Sequence, residues 1–405
     1  MNSVANINNT HPTASLDQQL IESMIVWRRH MHRFPECGFE VQQTSDFIAD
    51  KLNSVGVDEV VRGIGNTGLV GILRNGSSAA SIGLRADMDA LHIHEQNTFE
   101  HRSQYSGKMH ACGHDGHATM LLGAAAYLAK NRLFDGTVYF IFQPDEEHGK
   151  GAQAMIDDGL FEKFPMDAVY GLHNLPGLKE GRFAIRPGSL MASESSFEIV
   201  INGVGGHAAM PHNAIDSIVI GSQVVLALQT IVSRNLSAIN ETAVVSVTEF
   251  VTNGTVNVLP SKVTIKGDCR CFSEEVLEKL AKSMEQIVAG TCQAAGAQYQ
   301  FEFVNTFYPT VNSVGPTLQA VQAAQQVLGL ENVNDNCEPF TISEDFSSML
   351  RVKPGAYGLL GNGINSIGGC VLHNPNYDFN DSILPTGAQY WIQLVCNVLA
   401  KPTAN

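Results

Sequence analysis

Four largely apolar runs of strand length constrain this chain most: Gly68 to Leu73, Ser81 to Ala86, Thr137 to Phe142 and Ala168 to Leu172. A strand with one face in water alternates polar and apolar residues, whereas a continuous run needs cover on both faces. Helical patterns lie around them. One runs from Leu16 to about His32 and ends before Pro35. A second runs from Thr44 to Val55, with Phe47, Ile48, Leu52 and Val55 on one face and Gly56 closing it. A third, rich in Ala, Leu and Met, covers Ala118 to Asn131. Buried strands interleaved with helices predict an α/β layer, a largely parallel sheet with helices on both faces.

From about Ser195 to Val304 the rhythm changes. It reads as strand Ser196 to Ile201, helix Ile215 to Ser233, strands Ala243 to Phe250 and Lys262 to Cys269, helix Glu274 to Ala295 and strand Gln298 to Phe303. That order, βαββαβ, is ferredoxin-like and is read as an insertion. The expected division is therefore 1–190 for the first part of a catalytic domain, 191–304 for the insertion and 305–405 for the return to the first domain.

Composition excludes some partners. With 25 Lys+Arg against 40 Asp+Glu the formal charge is −15, which disfavours nucleic acid because phosphates demand basic patches. No membrane is expected as a partner, since the longest apolar candidate, Ile215 to Val232, is broken by Asp216, Ser217, Ser222, Gln223 and Gln229. Met1 to Gln19 is polar, without a basic region followed by an apolar one, and reads as a short tail on a cytoplasmic protein. Eight cysteines with no repeated short spacing predict reduced thiols.

The densest polar cluster is His110-Ala-Cys112-Gly-His114-Asp115-Gly-His117, directly before the Ala-rich helix. A two-residue spacing lets a turning segment aim Cys112 and His114 at one point, and thiolate with imidazole suits zinc and similar ions. A helix cap with a buried thiol would explain part of the cluster, but not three histidines and a cysteine within eight residues. The strand Thr137 to Phe142 runs into Gln143-Pro144-Asp145-Glu146-Glu147, so acidic groups stand at the carboxyl end of a buried strand, where open α/β sheets gather ligands. Adjacent glutamates can divide labour, one binding a metal and the other moving a proton. His173 ends another buried strand, and His373 follows the apolar stretch near Tyr357 to Leu360. Each could be a core histidine by itself; several at one sheet edge point to a metal.

These residues resemble a known family. Leu84-Arg-Ala-Asp87-Met-Asp89-Ala-Leu91, the His110 to His117 string, Gln143-Pro144 with Glu146-Glu147, Gly171-Leu-His173-Asn, Gly205-Gly-His207-Ala and Leu372-His373-Asn-Pro are similar to the dinuclear-metal aminoacylase and carboxypeptidase family. The nearest branch is that of the amidohydrolases, which includes hippurate hydrolases and indoleacetyl-amino-acid hydrolases. The motifs keep the family's order from about Trp27 to Asn380.

The resemblance implies a zinc-exopeptidase-like catalytic domain and identifies the insertion as a lid that also forms a homodimer. It implies two divalent ions per subunit, zinc foremost, with manganese, cobalt or nickel also suited to such donors. The implied ligands are Cys112, His114, Glu147, His173 and His373, with the Cys112 thiolate bridging both ions. Glu146 would be the general base for a metal-activated water attacking the amide of a small N-acyl amino acid, and Asp89 would orient a ligand. His207 would reach the partner subunit's site and stabilise the tetrahedral oxyanion, while Asn257 and Arg270 would hold the substrate carboxylate. Without the resemblance, His207 and Asn257 read as turn residues and Arg270 as a surface strand residue.

Where the family commonly has Ala-Glu-Glu and then small residues, this chain has Asp145, His148 and Lys150, and His92 stands where proline is usual. These departures bear on the substrate pocket. A dipeptidase or carboxypeptidase on the same site, a metal-binding protein without turnover, and a Cys112 nucleophile activated by His114 remain as alternatives. A base at Glu146 has no use in a mere binding protein.

Overall fold

The computed structural model describes residues 15–401, so most of the polar segment read as a tail lies outside the described residues. The chain divides into two compact units. The first comprises Met1–Gly188, Asn312–Cys337 and Met349–Asn405; the second comprises Ser189–Val311 and Glu338–Ser348.

In the first unit, helix α1 (Gln18–Arg33) starts where the Asp17 carboxylate accepts the Leu20 N–H at 2.8 Å. Its last turn carries His30, His32 and Arg33, favourable against the helix dipole. Helix α2 (Gln42–Ser54) gives way at Gly56, which takes φ 88°, a value a side chain would resist. Next come β1 (Glu59–Ile64), β2 (Gly68–Asn75) and β3 (Ser81–Asp87), then α3 (His114–Asn131), β4 (Gly136–Gln143) and β5 (Ala168–Pro176). They join one eight-stranded sheet in the order β1, β2, β4, β3, β5, Gly355–Gly363, Phe183–Ala184, Val333–Asn334. β4, β3, β5 and Gly355–Gly363 are mutually parallel; β1 and β2 add an antiparallel edge.

Every residue of β3 and of Gly355–Gly363 is buried, as strands covered on both faces must be. The core between sheet and helices includes Leu84, Phe140, Tyr170, Leu121, Leu128, Trp391 and Leu394. β1, with only Ile64 buried, carries no continuous apolar run and is not expected from the sequence. The helical pattern in the sequence also begins a turn later than α3, because polar residues and Gly116 mask the helical period of its first turn.

The second unit is a four-stranded antiparallel sheet, ordered Ala243–Thr252, Lys262–Cys271, Glu194–Asn202, Gln298–Phe307. With helices Ser217–Thr230 and Glu274–Ala295 between strands, this is the ferredoxin-like βαββαβ arrangement. Lys262–Cys271 alternates buried and less buried residues, so one sheet face is covered. That face packs Ile199, Ile201, Val263, Ile265 and Cys269 against Ile220, Val224, Leu228, Leu280, Met284 and Val288. The stretch Ser217–Asn235 is long and apolar enough to cross a membrane, but Ile220, Val224, Leu228 and Ile231 are used in this core. Residues 305–311 and Glu338–Ser348 cluster with the second unit, whereas the sequence places all of 305–405 with the first. For Glu338–Ser348, backbone pairing accounts for the difference: Phe340 donates to Leu190 O at 2.8 Å, and Ala192 donates to Phe340 O at 3.0 Å.

In the second unit, a Cβ on Gly267 would sit 2.1 Å from Ser246 O and 2.3 Å from the Phe197 ring. Gly267→Ala is therefore expected to cost about 1–3 kcal/mol by overpacking, read as a lowered midpoint in denaturant unfolding. An unchanged midpoint would contradict this packing.

Candidate metal centre

Parallel pairing puts the carboxyl ends of β3, β4 and β5 at one sheet edge, the usual ligand-binding edge of such a sheet. β3 delivers Asp87 and, two residues on, Asp89. β4 runs on to Asp145, Glu146 and Glu147, and β5 carries His173 and Asn174. Between Cys112 and His114, Gly113 takes φ 103°, and a Cβ there would lie 2.3 Å from Asn174 Oδ1 and 2.7 Å from the Tyr377 hydroxyl. Only glycine fits that turn. His373, at φ 62°, is tied in by its N–H donating to Ala111 O at 2.8 Å.

The side chains converge. Ligand-type atoms of Cys112, His114 and His173 lie within 4.8 Å of one another, as do those of Cys112, Glu147 and His373, and those of His114, Glu146 and Glu147. Cys112 belongs to two of these sets. Its Sγ is 3.4 Å from His173 Nε2, and His173 Nδ1 is spent on Asn174 O at 2.6 Å, so Nε2 is the nitrogen turned to Cys112. Glu147 Oε2 is 3.4 Å from His373 Nε2. Among the described residues, the ring nitrogens of His114 and the Glu147 Oε1 are buried without a well-formed hydrogen bond, His114 Nδ1 having only the Asp89 carboxylate at 3.3 Å. Buried polar atoms normally find partners, so this soft-and-hard donor set with unspent lone pairs fits divalent ions.

Asp89 is fully buried and organises the neighbours: Oδ1 accepts the Glu146 N–H at 3.1 Å and Oδ2 the Glu147 N–H at 3.2 Å. Its Oδ1 also lies 3.3 Å from His114 Nδ1. Ligand-type atoms of Asp87, His114 and His117 also lie within 4.8 Å of one another. Its oxygens are committed, however, Oδ1 to His117 Nδ1 at 2.7 Å and Oδ2 to Arg85 Nη1 at 2.8 Å. His117 continues to Asn174 Oδ1 at 2.7 Å, and Asn174 Nδ2 donates to the Tyr377 hydroxyl at 2.7 Å.

Burial sets the protonation of the cluster. It pushes the Cys112 thiol well above its ordinary range, with the Glu147 charge adding, and raises Glu147 to about 8, with Asp89 and Asp87 adding. Burial also holds His173 well below the usual imidazole range, so a neutral nitrogen faces Cys112. For His114 burial pulls downward, but the Asp87 charge and the contact with Asp89 win and raise it. Asp87 is the converse: burial pushes it up, while His114, His117 and Arg85 hold it well below the carboxylate range.

The first unit thus brings together Cys112, His114, Glu146, Glu147, His173, His373 and Asp89. His207, Asn257 and Arg270 belong to the second unit. There, His207 pairs with Val258 across two short strands, and Ala208 donates to Asn257 O at 3.1 Å, so the His207 and Asn257 loops adjoin. Both side chains are exposed. Arg270 is already engaged: Nε and Nη2 each donate to Asp268 at 3.0 Å, and Nη1 donates to Glu194 at 2.8 Å and to Ser343 at 2.9 Å. The sequence reading quotes His117, Asn174 and Asp87 within its motifs without giving them this shared chain. Their adjacency in the strings was the only signal, because pairing across 57 residues between His117 and Asn174 is a tertiary fact.

The model of peptidase family M20/M25/M40 matches residues 83–397. A hippurate hydrolase of Campylobacter jejuni is 40% identical over 373 residues, 92% of this chain and 95% of that protein. An IAA-amino acid hydrolase, ILR1-like 4 of Arabidopsis thaliana, is 34% identical over 100% of this chain and 92% of its own length. Among solved structures, the Bacillus subtilis YXEP protein, a dinuclear metal binding peptidase from the M20 family, superposes with a TM-score of 0.82 at 29% identity, covering 95% of this chain and 99% of that one.

Burial pushes the Cys112 thiol well above its ordinary range and Glu147 up to about 8, and His114 is raised as well, so metal binding at these groups would displace protons and affinity is expected to rise with pH. Zinc titration of apoprotein between pH 6 and 8 is expected to show about a tenfold gain per unit for each proton released. An affinity that does not change with pH would remove these groups from the ligand set.

Proposed function

We propose that this hydrolase, a chain that belongs to peptidase family M20/M25/M40, cleaves the amide bond of N-acyl amino acids with two bound divalent ions, releasing a carboxylic acid and a free amino acid. The observation that carries the reading is Cys112, common to two donor sets, with a glutamate pair beside them. Cys112, His114, Glu147, His173 and His373 hold the ions, zinc foremost. When bound, such ions polarise a carbonyl oxygen and acidify water.

The remaining chemistry belongs to the chain. Glu146, 6% exposed, takes the proton of the attacking water at a carboxylate oxygen and delivers it to the leaving nitrogen as the C–N bond breaks. Asp89 keeps Glu146 and Glu147 on station through their backbone N–H groups. His207 donates to the developing oxyanion from a partner subunit, and Asn257 with Arg270 holds the substrate carboxylate. For that task Arg270 exchanges its Glu194 contact, while the Asp268 fork keeps the guanidinium oriented.

A homodimer through the second unit is supported by the exposed Val219, Leu226 and Val232 of Ser217–Asn235, and by Phe250 and Val251 on the edge strand Ala243–Thr252.

Glu146→Gln is expected to retain the metal content of the unaltered protein while turnover on a panel of N-acetyl, N-benzoyl and indoleacetyl amino acids falls at least about a hundredfold. Retained turnover would remove Glu146 as the base. Chelation should abolish hydrolysis and metal add-back restore it; activity surviving complete metal removal would favour the Cys112 nucleophile instead. His207→Ala and Glu146→Ala, each inactive alone, should regain partial activity after subunit exchange. No recovery despite demonstrated exchange would place His207 in cis or outside the reaction.

A further inference from the structure

α1 sends two cations into the interior of the first unit, where the proposed mechanism has no use for them. Arg28 is 1% exposed and His32 0%. Arg28 Nη1 donates to Asp378 Oδ1 and Nε to Asp381 Oδ1, each at 2.7 Å, and Nη1 stands 3.7 Å from Asp115 Oδ2. His32 Nδ1 is 2.8 Å from the same Asp115 oxygen, and Nε2 is 3.2 Å from Glu95 Oε1. His101 Nε2 meets the other Asp378 oxygen at 3.0 Å.

Taking charges out of water is costly, and apolar residues of similar volume often stabilise a fold as well or better. The network therefore calls for a reason other than stability, and its connections supply one. Asp115 directly follows His114 and is in the first turn of α3. Its Oδ2 faces Arg28 and His32 while Oδ1 accepts the Gly116 N–H at 3.0 Å, so the orientation of this carboxylate and that of the first turn are fixed together. Asp378 follows Tyr377, whose hydroxyl accepts from Asn174 next to His173, and lies five residues beyond His373. Glu95 accepts the Ser103 N–H at 2.6 Å in the loop that leads to Cys112. Each carboxylate thus sits on a segment that carries one of the donors, and α1 is the common anchor.

We propose that Arg28 and His32 are positioning residues of the metal centre: from α1 they hold the segments bearing Cys112, His114 and His373 in a binding-ready geometry, so that their loss weakens metal binding beyond any loss of fold stability. This rests on the metal-centre reading above.

The test is zinc affinity of the full-length apoprotein, by competition with a chromophoric chelator, alongside the thermal midpoint of the same apoprotein. His32→Gln removes one cation. Arg28→Met combined with Asp378→Asn removes the other together with one of its partners, so that this partner is not left buried as an uncompensated charge. Met24→Ala, a cavity variant on the same helix at a fully buried site, serves as the control for instability alone. The network variants are expected to bind zinc about ten- to a hundredfold more weakly, as when partners that orient ligands are lost, while Met24→Ala stays within about twofold of the unaltered protein. Folded network variants that keep zinc affinity within about twofold would overturn the proposal, as would a Met24→Ala loss as large as theirs. Cys112→Ser separates the two readings: if it too leaves zinc affinity unchanged, the metal-centre reading has failed and this inference with it; if it alone loses affinity, only the positioning role fails.

Discussion

Parallel pairing of β4, β3, β5 and Gly355–Gly363 is the constraint on which the rest of the first unit depends. A parallel sheet brings like ends of its strands to one edge, and here those ends hand over Asp89, the Glu146–Glu147 pair and His173 from segments distant in sequence. α3 starts at the same edge with Cys112 and His114, through a turn that only glycine permits. Burial of the strands on both faces keeps that edge rigid, because no strand residue can shift without disturbing a filled core.

The same burial creates the electrostatic problem that the centre uses. Removing a thiol, two imidazoles and two glutamates from water would ordinarily protonate or neutralise them, and the raised Cys112 and Glu147 and the lowered His173 show that pressure. The charge of Asp89 is itself met by two backbone N–H donors, and that of Asp87 by Arg85 and His117. His114 turns Nδ1 to Asp89 at 3.3 Å and Nε2 toward the Glu146–Glu147 pair, so one nitrogen is oriented and the other is left for a divalent ion. One layer further in, Arg28 and His32 balance the carboxylates of Asp115, Asp378 and Glu95, so charge compensation runs from the donors out to the first helix.

Much of this was legible before any coordinates. Continuous apolar runs announced doubly covered strands, since their lack of alternation has no other cheap explanation, and the change of rhythm after Ser195 announced a second unit. The donors were legible because chemistry restricts residue type: thiol, imidazole and carboxylate at strand ends have few other uses together. β1 was not legible, because a mostly exposed edge strand needs no apolar pattern. Nor was the pairing of Glu338–Ser348 with the second unit, because backbone hydrogen bonds to Leu190 and Ala192 leave no mark on side-chain type.

The sequence by itself determined the doubly covered strands, the main helices and which residue types can bind a metal or move a proton, since hydrophobic period and side-chain chemistry are local properties. Tertiary structure alone decided how the donors are shared and spent. It made Cys112 common to two donor sets, committed both Asp87 oxygens elsewhere and set His114 Nδ1 against Asp89 with Nε2 toward the glutamate pair. It also carried the charges of α1 to the back of the centre. Those outcomes depend on distances between segments tens to hundreds of residues apart, and only the packed sheet and its helices fix such distances.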